Sequence, residues 1–268
     1  MFYARVGCPR SVEGLHLSPM SSWPACLWLV RHGESAGNVA RDAAERAGLS
    51  RIEIAGRDMD VPLSPLGERQ SRAVGAWFAR RPPEERPSVV LCSPYVRARK
   101  TAELIVQEAQ LGSHVQAVDE RLREKEFGAL NRLTKAGIAA TFPQEAVSRA
   151  EVGKFYYRPP GGESWCDVIL RLRSVLHHVQ LRYGGARVLL VAHQVIVLCF
   201  RYLLEDLDEQ QLLDIDRSGD VANCAVTTFE SALVDGQERM VLRQYNFVAP
   251  VEEAGEPVTQ QPDPSVLK

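Results

Sequence analysis

The chain has 268 residues, 45% of them hydrophobic and 25% charged, with a formal net charge of −2. That balance excludes a disordered, fibrous or membrane-bundle protein. It also supplies no global field that would draw the chain onto nucleic acid or anionic lipid, so any anion site must be local and built from a few aimed cations.

Residues 1–25 lack the long apolar core of a secretory signal and are expected to form a flexible extension. Cys26 to Val30 is a short continuous apolar run that leads straight into Arg31-His32-Gly33-Glu34. Ser64-Pro65 pairs an N-cap with a proline at the first helical position and predicts a helix to about Arg80. Ser88 to Cys92 is a second apolar run, ending on Ser93-Pro94 with Arg97 close behind, and a helix is expected from about Val96 to Gln110. A third helix, from about Ser164 to Tyr183, puts Trp165, Val168, Leu172, Val175, Leu176 and Val179 on one stripe before Gly184-Gly185 ends it. Arg187 to Val191 is the third apolar run and leads into Ala192-His193-Gln194; Ala225 to Phe229 and Met240 to Tyr245 read as further strands. Continuous apolar runs of this length are the mark of strands buried on both faces. Alternating with helices, they predict an α/β fold: a three-layer α/β/α sandwich around a central, largely parallel sheet. One domain is expected over 26–249, followed by a disordered tail over 250–268 that is rich in Pro, Glu and Gln.

None of the six cysteines forms a C-x-x-C pair, and Cys92 and Cys199 sit inside apolar runs, so reduced thiols in a cytoplasmic protein are expected. No apolar stretch approaches the roughly 20 residues that span a bilayer. Neither membrane nor nucleic acid is expected as a partner, and oligomeric state is not readable.

In open α/β sheets, ligands bind beyond the carboxyl ends of the strands. Arg31, His32, Arg97 and His193 all lie at or just past such ends, so residues distant in sequence would converge on one mouth. Transfer of a phosphoryl group needs an in-line nucleophile, cationic donors around three equatorial oxygens and an acid for the leaving group. The chain has neither H-E-x-x-H nor the phosphate-binding loop G-x-x-x-x-G-K-[ST]. Its arginines can supply positive charge through planar forks that stay protonated at working pH. One of the two histidines must be neutral to attack, while the other can be cationic; residue chemistry leaves open which is which.

Leu29 to Asn38, reading LVRHGESAGN, resembles the signature of the histidine phosphatase superfamily, which includes cofactor-dependent phosphoglycerate mutases and fructose-2,6-bisphosphatases. The likeness continues in order through Asp60-Val61-Pro62-Leu63-Ser64 with Gly67 and Gln70, then Ser93-Pro94 with Arg97-Ala98 and Thr101-Ala102-Glu103. Arg121-Leu122-Arg123-Glu124 with Phe127-Gly128, then Gly161-Gly162-Glu163-Ser164, then Val191-Ala192-His193 complete it. The resemblance implies that His32 is the nucleophile, that Arg31, Arg97 and His193 bind phosphoryl oxygens, that Asn38 adds a neutral donor, and that Glu124 is the proton donor. Gln194, where many members carry glycine, is similar to the bisphosphatase branch and joins the expected substrate-binding set. No metal and no cofactor are implied.

Glu124 sits in the charged run RLREKE, and its neighbours Glu120 and Glu126 are the competing acids. Lys125 and Lys135 match positions where the mutases hold a second phosphate, although lysines on such segments are usually solvated. Glu163 caps the next helix or touches substrate. His177 and His178 are adjacent on a helix and cannot form an i, i+4 metal pair. An insertion between Asn38 and Asp60 carries Arg41, Arg51 and Arg57 as candidates for the pocket rim. The expected activity is hydrolysis of small phosphomonoesters, such as sugar phosphates, through a phosphohistidine. The alternatives are a phosphoglycerate mutase and a non-catalytic scaffold on the same fold; the short segment from Lys135 to Glu163 favours an open, water-accessible site over a mutase.

Overall fold

The computed structural model describes residues 22–261; residues 1–21 and 262–268, and the expectations that fall on them, lie outside it. Six strands form one sheet: β1 (Cys26–Arg31), β2 (Val89–Cys92), β3 (Val115–Val118), β4 (Arg187–Ala192), β5 (Val226–Val234) and β6 (Gln237–Phe247), in the order β3-β2-β4-β1-β5-β6. The first four in that order run parallel, and β5 is antiparallel to both β1 and β6.

Alternation along the central strands builds two cores. Trp28, Val30, Val90, Cys92, Leu189 and Val191 face α2 (Pro65–Ala79) and α3 (Val96–Glu108) through Val74, Phe78, Ala98, Ala102 and Ile105. Leu27, Leu29, Leu91, Val188 and Leu190 face α6 (Trp165–Tyr183) and α7 (Gln194–Leu204) through Val168, Leu172, Val175, Val179, Ile196 and Phe200. Each large aliphatic or aromatic side chain so buried contributes roughly 1.5–3 kcal/mol. The result is the expected three-layer sandwich. β3 is the exception: it lies at the sheet edge with all four residues exposed, so it carries no continuous apolar signal.

Helix starts follow local chemistry. Ser64 Oγ accepts from the Gly67 N–H at 3.0 Å with Pro65 opening α2, and Ser164 and Asp167 form a reciprocal capping box on α6. The β5–β6 hairpin turns on Asp235-Gly236, with φ of 51° and 75°, the pair of positive values that a tight two-residue turn requires. That turn lets both strands run longer than the sequence segments suggested.

The remaining helices are α1 (Ala36–Arg46), α4 (Lys135–Thr141), α5 (Pro143–Val152), α8 (Glu209–Ser218) and α9 (Ala249–Glu253). α9 corrects the expected boundary at Pro250. Pro250 and Val251 are buried, and Val258 packs against both cores. Gln70 Nε2 donates to the Pro257 carbonyl at 2.9 Å and to Thr259 Oγ1 at 3.1 Å, and Asn223 N–H donates to the Thr259 carbonyl at 2.9 Å. Two valines and these few hydrogen bonds suffice to hold a segment whose composition alone looks unfoldable. At the other end, Ala25 N–H donates to the Ala186 carbonyl and Trp23 packs on the core, so residues 23–25 belong to the fold rather than to an extension. Among the described residues no helix is long and apolar enough to cross a membrane.

Candidate active site

Because β2, β4 and β1 are neighbours in register, their carboxyl ends stop side by side. His32 N–H donates to the Ala192 carbonyl at 3.0 Å and Ser93 N–H to the Val191 carbonyl at 3.0 Å, continuing the ladders one residue past the strands. His32 and His193 are thereby brought together, both fully buried, with ring centroids 5.1 Å apart.

The loop after β1 is clamped by the second motif. Glu34 N–H donates to Gln70 Oε1 at 2.9 Å, Ser64 N–H to the Glu34 carbonyl at 2.9 Å, and Ser64 Oγ to Glu34 Oε1 at 2.6 Å. Gly67 is required by close approach: a Cβ there would stand 1.9 Å from the Glu34 carbonyl oxygen. Gly33 N–H meanwhile donates to Thr101 Oγ1 at 3.0 Å. The α2 and α3 motifs thus fix the backbone on which His32 sits.

The hydrogen bonds of His32 define its tautomer. Nδ1 lies 2.7 Å from the Gly33 carbonyl, an acceptor, so Nδ1 carries the proton. Arg97 Nε, a donor, lies 3.3 Å from Nε2, which therefore presents its lone pair. His193 differs: it caps α7, its Nε2 is 2.8 Å from Ser93 Oγ, and its Nδ1 is 3.9 Å from Glu124 Oε2. Glu124 is 1% exposed and its Oε1 accepts the Lys125 N–H at 2.7 Å. Of Glu120, Glu124 and Glu126, Glu124 is the one placed against a site histidine.

Arg97 is 2% exposed and lies over the Tyr95 ring at 4.8 Å, while the same ring meets His193 edge-on at 5.0 Å. Burial, together with nearby Glu126, Asp58 and Glu124, pushes the Tyr95 hydroxyl well above its ordinary range, so it stays protonated. Arg31 is buried beside the same loop and donates from Nη1 to the Val221 carbonyl at 2.5 Å and from Nη2 to the Gln261 carbonyl at 2.6 Å. Asn38 Nδ2 also points at the Gln261 carbonyl, at 3.4 Å, and its Oδ1 accepts from Ser35. Gln194 Nε2 donates to Asp220 Oδ1 at 2.6 Å.

Lys125 departs from the solvated reading: it is 6% exposed, its Nζ lies 4.6 Å from the Phe127 ring, and burial pushes its pKa down to about 8 against the pull of Glu124 and Glu163. Lys135 is exposed. Glu163 caps no helix. It accepts from Arg123, Arg171 and the Glu126 N–H; burial opposes its charge, but these bonds and the two guanidiniums hold its carboxyl below the usual range. Arg171 also donates to the Glu124 carbonyl at 3.3 Å, so Glu163 buttresses the segment that carries Glu124. Within the insertion, Arg41 is buried and pairs with Glu45, and Arg57 is exposed and pairs with Asp60. Asp58, in the same insertion, pairs with Arg97. Neither Asp58 nor Tyr95 was singled out by the sequence reading, and no spacing pattern marks them. Ser93 belonged to a motif, but its contact with His193 depends on strand order.

Two buried histidines, one facing an arginine, and a buried glutamate thus meet at the carboxyl ends of the central strands, an arrangement suited to holding a phosphoryl group. Residues 27–244 match the histidine phosphatase superfamily (branch 1), and the chain belongs to that family. It is 32% identical over 203 residues to a 6-phosphofructo-2-kinase/fructose-2,6-bisphosphatase of Caenorhabditis elegans, covering 75% of this chain and 38% of that protein's length. It is 30% identical over 220 residues to a 2,3-bisphosphoglycerate-dependent phosphoglycerate mutase of Gloeobacter violaceus, covering 81% and 90%. Among solved structures, a mycobacterial glucosyl-3-phosphoglycerate phosphatase in complex with VO3 superposes with a TM-score of 0.64 at 26% identity, covering 83% of this chain and 99% of that one. These relatives include both phosphatases and a mutase, and the chain spans less than half the length of the first of them.

Proposed function

We propose that the chain hydrolyses small phosphomonoesters, sugar phosphates among them, without a metal or other cofactor and through a phosphohistidine on His32. The observation that carries this reading is the pair of contacts made by His32, Nδ1 at 2.7 Å from the Gly33 carbonyl and Nε2 at 3.3 Å from Arg97 Nε, which together assign the lone pair to Nε2. In the first step Nε2 bonds to phosphorus as the ester P–O bond breaks, and Glu124 donates a proton to the departing oxygen. In the second, Glu124 takes a proton from water, which attacks phosphorus and releases phosphate from His32. Positioned proton transfer of this kind contributes roughly 10²–10⁴-fold. Arg31, Arg97 and His193 hold the phosphoryl oxygens, Asn38 adds a neutral donor, and Gln194 lies at the edge of the substrate site. Arg31 and Asn38 reach that role by exchanging the Gln261 carbonyl for a phosphoryl oxygen.

Five free cysteines among the described residues, four of them buried, support a reducing compartment such as the cytoplasm. The likeness to the Gloeobacter mutase keeps phosphoglycerate isomerisation as the second reading. Release of phosphate from an aryl phosphate in EDTA tests the first. Activity that survives chelator and disappears in His32→Ala is expected. Interconversion of phosphoglycerates without phosphate release would favour the mutase, and an inert wild type would favour a scaffold.

A further inference from the structure

Asp58 lies in the insertion between Asn38 and Asp60, at the start of a short 3-10 turn (Asp58–Asp60). Its backbone carbonyl accepts from Arg97 Nη1 at 2.8 Å; its Oδ1 stands 3.4 Å from Nη1 and its Oδ2 3.2 Å from Nη2. A guanidinium has two edges that can each bind an oxyanion with paired N–H groups, an end edge made by both Nη atoms and a side edge made by Nε and one Nη. Asp58 occupies the end edge. The side edge is the one turned to His32, since Nε is the atom 3.3 Å from Nε2. The Tyr95 ring covers one face of the same group at 4.8 Å.

We infer that Asp58 is a positioning residue for phosphoryl transfer: it holds the end edge of Arg97 so that the side edge is presented to the phosphoryl oxygens next to His32 Nε2. This rests on the phosphatase reading of the site. The loop that carries Asp58 is itself pinned, because Arg132 donates to the Ile54 and Gly56 carbonyls, so the backbone leading into Asp58 is held independently of Arg97. Asp58 also has a cost for binding. Its negative charge sits on the same cation that receives the dianion, weakening the hold on ground-state phosphate while fixing the geometry needed for transfer. Orientation and affinity are therefore opposed at this residue, which separates it from a merely structural aspartate.

The test compares Asp58→Ala, Asp58→Asn and Asp58→Glu with wild type in aryl phosphate turnover, and measures inorganic phosphate binding by calorimetry. Misplacing a catalytic group by about 1 Å costs on the order of 100-fold. Asp58→Ala is therefore expected to lower kcat by about 10- to 100-fold without weakening phosphate binding, Asp58→Asn to bind phosphate more tightly than wild type, and Asp58→Glu to recover part of the kcat lost in alanine. Wild-type kcat in Asp58→Ala, or a loss of kcat that tracks an equal loss of phosphate affinity and of thermal midpoint, overturns the proposal. A wild type that binds phosphate but releases none from any ester fails the phosphatase reading instead.

Discussion

Lys125 offers a test in which the structure supplies the magnitude. It follows Glu124 directly, is almost fully buried, and has its pKa pushed from 10.5 to about 8 by burial, with Glu124 and Glu163 only partly offsetting that cost. A drop of that size corresponds to about 3 kcal/mol at roughly 1.4 kcal/mol per pH unit. Below pH 8 the amine is protonated in the folded and unfolded chain alike, so the penalty is present in full. Between pH 8 and 10.5 the folded chain gives up the proton first, the unfolded chain binds more protons, and stability rises with pH. Lys125→Met, which keeps the apolar stem, is accordingly expected to stabilise the protein by up to about 3 kcal/mol at pH 7 and by less than about 1 kcal/mol at pH 10. Urea unfolding of both proteins at the two pH values measures this, and turnover of the variant is expected to fall, since a buried cation kept at such a cost serves the site. A gain equal at both pH values, or a loss at pH 7, would refute the reasoning.

Removing the Ser93 hydroxyl leaves His193 Nε2 without its 2.8 Å neighbour, and Ser93→Ala is expected to lower kcat about 10-fold with little change in KM; an unchanged kcat contradicts this. Gly67→Ala would drive a methyl group into the Glu34 carbonyl and is expected to cost at least about 3 kcal/mol in denaturant unfolding, with wild-type stability the contrary result. Ending the chain after Glu256 removes the partners of Gln70 and Asn223, worth about 1 kcal/mol per bond, and is expected to lower the thermal midpoint by several degrees. An unchanged midpoint would mean that Pro257 to Gln261 does not dock in solution.

The three buried strands and their attached motifs were legible because a strand covered on both faces is written as an uninterrupted apolar run, and each such run here ends on a site residue. The convergence of His32 and His193 then follows from sheet order. β3 was not legible, since an exposed edge strand has no burial to record in its sequence. The docking of Pro250 to Gln261 is not legible in composition, because a few apolar contacts and single hydrogen bonds from Gln70 and Asn223 anchor it. Glu124 was separable from Glu120 and Glu126 only by resemblance; burial against His193 distinguishes it physically. In the insertion the arginines are the candidates that an anion site suggests, yet the pair with Arg97 is made by an aspartate, Asp58. A charge that works by holding a charge leaves no mark on one sequence.

The central claim is that phosphate passes through Nε2 of His32. Glu124→Gln, given an aryl phosphate whose leaving group needs little protonation, slows water attack and should accumulate phosphorylated protein. Phosphorus NMR of the intact variant, followed by peptide mass spectrometry, is expected to find an acid-labile phosphohistidine with phosphorus on Nε2 of residue 32. Phosphorus on Nδ1, on His193, or on any serine or carboxylate would contradict the account.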